Sequence, residues 1–323
     1  MRVVIATDGS IEADLAETVF LKLPLPEDAR FTVAMATHLP IHAAPAFTPE
    51  GLSYSDKVAA DTWRIQHQVA RRTAESVAAR IRTRGFEAEA RVLEGDTAEE
   101  LLGFIKSENT DAVVVGFGVS SNLAAAFLGS VSRKLVLYSE ASVLVGRHYS
   151  DVPVEGSCCR LSGKDRLDVL IAVDGSAGSE LSVKSLECQH EKVFRSVTMI
   201  AVEPLLYSSE GMDPTLLYPS IALDRARIEA VARGAAERLV GCADRVEFVT
   251  AFGRPSVEIA RTAESRGSDL IMLGANRHGF LDRLLLGSCA YEVATSAPCS
   301  VLILRDVLPF SFAARSDDGC GYG

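Results

Sequence analysis

The chain has 323 residues, 48% of them apolar and 24% charged, enough for two globular domains that each bury a core. A net charge of -10 argues against a protein that grips a nucleic-acid backbone, and no apolar run approaches the ~20 residues a membrane helix needs. The N-terminus carries no basic region or small-residue cleavage site, so a cytoplasmic protein is expected.

In chain order, Val3–Thr7 is a short apolar run ending at Asp8-Gly9-Ser10, the pattern of a buried parallel strand. Ile11 to Leu23 places apolar residues at helical spacing and stops at Pro24 and Pro26. Phe31–Ala36 is a second strand, and His38 to Ser53, with three prolines and little periodicity, is a long loop. Lys57 to Arg84 is an amphipathic helix closed by Gly85. Strand Ala88–Leu93, helix Thr97 to Lys106, strand Ala112–Val115, helix Ser130 to Tyr138 and strand Ser142–Val145 complete this part.

The same order then recurs. Asp168–Val173 ends at Asp174-Gly175-Ser176 and leads to a helix near Leu181, strand Val197–Val202, a loop from Pro204 to Pro219, and a helix from Ile221 to Val240. Val246–Thr250, the helix Pro255 to Arg266, Leu270–Leu273, the helix Ser288 to Ser296 and Val301–Leu304 follow. Gly116 to Gly129 and Gly274 to Gly287 have the same separation of 13 residues. A repeat this long is a duplicated domain, because solenoid repeats are much shorter. The halves align with an offset of 166 at the first strand and 158 from the third onward. The first half therefore holds eight extra residues, expected in the Pro-rich loop, because loops absorb insertions. The expected domains are residues 1–147 and 166–306, with a polar linker at 148–165 and a flexible tail at 307–323.

Strands alternating with helices predict an α/β protein of two tandem doubly wound domains. Each would hold a five-stranded parallel sheet with helices on both faces. Ligands in such folds sit beyond the carboxyl ends of the strands. Asp8, Gly116, Asp174 and Gly274 all fall at such ends.

The strongest chemical signal is the glycine pair at Gly129-Ser130 and Gly287-Ser288, each opening a helix. A helix start offers unpaired N–H groups and the positive end of the dipole, and glycine lets a phosphate approach closely. The same residues would equally serve as a chain turn with a serine cap. Asp8 and Asp174 could accept hydrogen bonds from a ribose or base edge, or simply start the turn into the helix. Neither a Walker A loop nor a G-x-G-x-x-G fingerprint is present. The seven cysteines lie in the second half or the linker before it and form no C-x-x-C, which disfavours a disulfide framework, zinc or redox work. No nucleophile–base pair or metal cluster emerges.

Together, Ile5-Ala6-Thr7-Asp8-Gly9-Ser10, Ile171-Ala172-Val173-Asp174-Gly175-Ser176, Glu94-Gly95-Asp96-Thr97, Arg283-Leu284-Leu285-Leu286-Gly287-Ser288 and Ala297-Pro298-Cys299-Ser300-Val301 resemble the universal stress protein family in tandem form. The resemblance implies an ATP site in many members and pairing through the fifth strand, here Ser142–Val145 with Val301–Leu304. That arrangement is an intrachain pseudo-dimer, with a further homodimer left open. The resemblance also implies a stress-linked regulator, at most a slow ATPase, with Mg²⁺ only where ATP is bound. The family's phosphate pattern, G-x2-G-x9-G-[ST], maps onto Gly116, Gly129 and Ser130 and onto Gly274, Gly287 and Ser288. Its middle glycine is replaced by Val119 in the first half and Arg277 in the second. A valine crowds a phosphate, whereas a guanidinium can contact one, so Arg277 is expected to be a ligand and the second half the better site. The competing expectation is a nucleotide-free scaffold that binds a regulatory protein partner.

Overall fold

The computed structural model describes residues 1–37, 54–117, 128–147, 164–187, 191–204, 214–275 and 287–310. The first half runs β1 (Arg2–Ala6), α1 (Ile11–Phe20), β2 (Arg30–Thr37), α2 (Tyr54–Thr83), β3 (Glu87–Glu94), α3 (Thr97–Ser107), β4 (Ala112–Gly116), α4 (Ser130–Tyr138) and β5 (Ser142–Gly146). The second repeats it as β6 (Asp168–Ala172), α5 (Ala177–Leu186), β7 (Phe194–Pro204), α6 (Pro214–Arg238), β8 (Ala243–Gly253), α7 (Pro255–Arg266), β9 (Leu270–Gly274), α8 (Ser288–Ser296) and β10 (Ser300–Leu304). The central strands β1, β4, β6 and β9 are near-continuous apolar runs because helices cover both their faces.

Each half contributes five parallel strands, as the alternation of elements requires. The halves join into one ten-stranded sheet of order β3-β2-β1-β4-β5-β10-β9-β6-β7-β8. The seam is the antiparallel pair β5–β10, with Leu144 opposite Leu302. All ten seam-strand residues are buried, so neither strand is an exposed edge. One apolar core lies under α1, α2, α5 and α6, and a second under α3, α4, α7 and α8; each contains residues of both halves.

Two arginines, related by the repeat, cross the seam in opposite directions. The Arg147 backbone N–H donates to Ser300 Oγ (3.3 Å), and its guanidinium donates to the carbonyl of Thr295 (2.5 Å) at the end of α8. That guanidinium lies 3.5 Å from the centroid of Phe117. Arg305 mirrors this: its N–H donates to Ser142 Oγ (3.1 Å) and its guanidinium to the carbonyl of Val136 (2.5 Å) at the end of α4. Each cation satisfies carbonyls left unpaired at the negative end of a helix in the other half.

Strand register locates the insertion. Thr37 pairs with Glu94, and Glu203 with Phe252, so the offset is 166 on β2 but already 158 on β3. On the intervening helices, Gly9 faces Thr73 and Gly175 faces Val231, again an offset of 158. The extra residues therefore lie between Thr37 and Thr73, the interval that holds the Pro-rich segment; residues 38–53 themselves lie outside the described residues.

Among the boundaries that differ from the sequence reading are those of α6, α2 and the tail. Helix α6 begins at Pro214, so Pro219 is helical and not the end of a loop. Pro214 takes the first helical position, where its missing N–H costs nothing, and Pro219 forfeits a single bond one turn later. Helix α2 begins at Tyr54, ahead of Lys57. The expected tail start at Val307 is also too early: Leu308 is only 2% exposed, and its N–H donates to Ser185 Oγ (3.0 Å). At the other end of the linker, Lys164 Nζ bonds Asp269 (2.8 Å) and Asp168 (3.2 Å) at the amino-terminal ends of β9 and β6. No helix among the described residues is long and apolar enough to cross a membrane.

Candidate functional site

Each half opens a cavity at the carboxyl edge of its sheet. In both, the turn after the first strand is built identically. Asp8 Oδ1 accepts from the Ser10 N–H (2.9 Å), and Ser10 Oγ accepts from the Ala13 N–H (3.2 Å) to cap α1. Asp174 Oδ1 accepts from the Ser176 N–H (2.8 Å), and Ser176 Oγ accepts from the Ser179 N–H (3.2 Å) to cap α5. The aspartates thus start the turn, and both also line the cavities. Burial acts to raise the Asp174 pKa, but hydrogen bonds from Ser176 and Ser179 outweigh it and leave the carboxyl below its ordinary value.

Gly116 and Gly274 stand on the cavity walls, but their lack of a side chain is dictated from behind. A Cβ at Gly274 would lie 1.6 Å from the carbonyl oxygen of Gly178, and one at Gly116 would lie 2.7 Å from the Ala13 nitrogen. The first turns of α5 and α1 pack directly onto these residues, so helix packing alone requires glycine there.

Gly129 and Gly287 are the N-caps of α4 and α8, and neither helix receives a side-chain cap. Ser130 and Ser288 are therefore first helical residues, not caps. The cap reading of these serines does not hold, since a hydroxyl inside the helix cannot reach the N–H groups that an N-cap side chain bonds. Ser130 lines the first cavity; Ser288 is exposed beside the second and is not among its lining residues. A Cβ at Gly287 would meet nothing within 4 Å. Arg277 and Val119 lie outside the described residues, as do Gly118, His278, Gly279, His38 and His42.

The structure thus brings together Asp8, Gly116, Gly129 and Ser130 in one cavity, and Asp174, Gly274 and Gly287 in the other. The two differ in size, 190 Å³ in the first half against 360 Å³ in the second. An ion pair between neighbouring helices also differs between the halves. Lys134 pairs with Asp96 (3.3 Å) between α4 and α3, whereas at the equivalent positions Glu292 pairs with Arg254 (2.6 Å). The pair is conserved in geometry and inverted in sign.

Sequence reasoning missed Arg227, which lines the second cavity from α6. By the offset that relates Val231 to Thr73, its counterpart is Val69 on α2, 53% exposed. Comparing the two long helices position by position would have exposed this difference; their shared amphipathic pattern conceals it. Cys289, on the wall of the same cavity, has its thiol pushed up to about 11, chiefly by burial, so it stays neutral and unreactive at physiological pH. Among the described residues, no group of three His, Cys, Asp or Glu could hold a metal ion.

The fold defines a duplicated, doubly wound α/β protein with one cavity at the carboxyl ends of each half's strands. The model of the universal stress protein family matches residues 1–147 and 167–305. The chain belongs to that family and carries two of its domains. It is 26% identical over 148 residues to the universal stress protein YxiE of Bacillus subtilis, covering 42% of this chain and 97% of that one. It is 31% identical over 141 residues to a universal stress protein of Thermus aquaticus, covering 42% and 97%. A solved universal stress protein from Archaeoglobus fulgidus superposes with a TM-score of 0.51 at 20% identity, covering 95% of this chain and 96% of that one.

Proposed function

We propose that this universal stress protein is a stress-response regulator that binds an adenine nucleotide in its second half. The observation that carries the reading is the second cavity: 360 Å³, lined by a carboxylate, by the N-cap of α8, which receives no side-chain cap, and by an arginine. Sites for small ligands occupy about 300–1,000 Å³, a range that the second cavity meets and the first, at 190 Å³, does not. A phosphate would be held by the free N–H groups at Gly287 and Ser288, with Asp174 accepting from a ribose hydroxyl. Arg277 would add a cationic ligand from the adjoining segment, and Mg²⁺ would enter only with a bound triphosphate. Among the described residues lining either cavity, none is placed as a general base, so the bound nucleotide would act as a signal read by a partner protein, with any hydrolysis slow. The first half favours the second reading, a nucleotide-free scaffold, through its smaller cavity.

The test is to denature freshly purified protein and quantify released nucleotide. About one adenine nucleotide per chain supports the reading, and about two overturns the distinction between the halves. None, together with no thermal shift on adding ATP and Mg²⁺, leaves the scaffold.

A further inference from the structure

With the second cavity read as a nucleotide site, we infer that Arg227 is the residue that recognises the base, by laying its guanidinium against the face of the purine. The inference rests on that reading and on the order of strands across the cavity. Strand β6, which leads to Asp174, lies between β9 and β7. On the β9 side stand Gly274 and the start of α8 at Gly287, the end suited to phosphate. On the β7 side the lining turns apolar, with Ile200 and Val202 from the strand and Ile228 from α6. A nucleotide with its phosphates at α8 and its ribose at Asp174 therefore brings its base to this apolar end.

Two helices on opposite faces of the sheet flank that end. Helix α7 supplies Pro255 and Ile259, and α6 supplies Arg227 beside Ile228. Ile259 and Ile228 belong to the two different cores, which places them on opposite faces. Arg227 stands one helical turn before Val231, the residue facing Gly175, and so one turn further out past the Asp174 turn. Among the described residues it makes no ion pair or hydrogen bond, so its planar group is available to a ligand. A weakly hydrated, delocalised cation over an apolar floor suits a flat π-system, and arginine stacks on ring faces where lysine does not. The first half has Val69 at this position and Ala34 and Ala36 in the strand, so it offers neither the cation nor the branched floor.

The test uses the full chain and compares adenosine with ATP by calorimetric titration, for wild type and for Arg227→Ala, Arg227→Phe and Arg227→Lys. Stacking predicts that Arg227→Ala weakens both ligands equally, by roughly 5- to 30-fold. Arg227→Phe should restore binding of both, and Arg227→Lys should restore little. A loss confined to ATP and rescued by lysine would instead mean a phosphate contact and overturn the assignment. Unchanged binding in Arg227→Ala would overturn it while leaving the nucleotide site intact. If wild type binds neither ligand, the site reading fails and this inference with it. Arg227 is exposed, so all variants should keep the wild-type melting temperature.

Discussion

Substituting valine for Gly287 should separate the site from the fold. The residue has φ -57° and ψ 143°, which any L-residue adopts, and its Cβ would point into open space. Two small effects oppose each other: valine is a poorer N-cap than glycine by up to about 1 kcal/mol. Replacing glycine also restricts the unfolded chain, stabilising by about 0.4–1 kcal/mol. The net stability change should thus lie within about 1 kcal/mol, or a few degrees in Tm. Binding responds differently, because the isopropyl group would fill the space through which a phosphate reaches the helix N–H groups. Losing one or two hydrogen bonds to a charged oxygen, about 1.5–3 kcal/mol each, weakens binding by at least about tenfold. Isothermal titration with ATP, beside thermal unfolding of Gly287→Val and Gly129→Val, checks this. Wild-type affinity in Gly287→Val, or a loss of binding in Gly129→Val alone, would refute the assignment to the second half.

The neighbouring glycine should behave in the opposite way. Gly274→Ala drives a Cβ into the Gly178 carbonyl oxygen, and calorimetry should show a loss of well over about 2 kcal/mol or failure to fold. Arg305→Ala leaves the Val136 carbonyl without its charged donor at a 5%-exposed position, and denaturant unfolding should register about 1.5–3 kcal/mol. Because both cores span both halves, wild type should unfold in one calorimetric transition; two resolved transitions would contradict a shared core. Asp174 has its folded pKa held below the ordinary 3.8, so its stabilising contribution is present above that pH and lost as pH falls through the lower folded value. The Tm difference between wild type and Asp174→Asn should therefore shrink on acidification below about pH 4.

Local chemistry written in the sequence determined the duplication, the alternation of strand and helix, and the gathering of Asp8 with Gly116 and Gly129, and of Asp174 with Gly274 and Gly287, at the carboxyl ends of each half's own strands. These follow from apolar period, from Asp-Gly-Ser turns that bond within a few residues, and from glycine at helix starts, all of which act over short stretches of chain. Pro219 shows the limit of such reasoning, since a proline one turn into a helix reads like a stop. The seam of Leu144 and Leu302 could be expected only from family resemblance, because both strands read as ordinary buried runs. The tertiary structure alone decided the rest. Gly274 is glycine because Gly178 presses on it, Arg147 and Arg305 exchange helix ends across the seam, and Arg227 reaches the rim of a cavity twice the size of its counterpart. Each depends on what lies opposite in space, at separations of tens to hundreds of residues, and neither composition nor period carries that information.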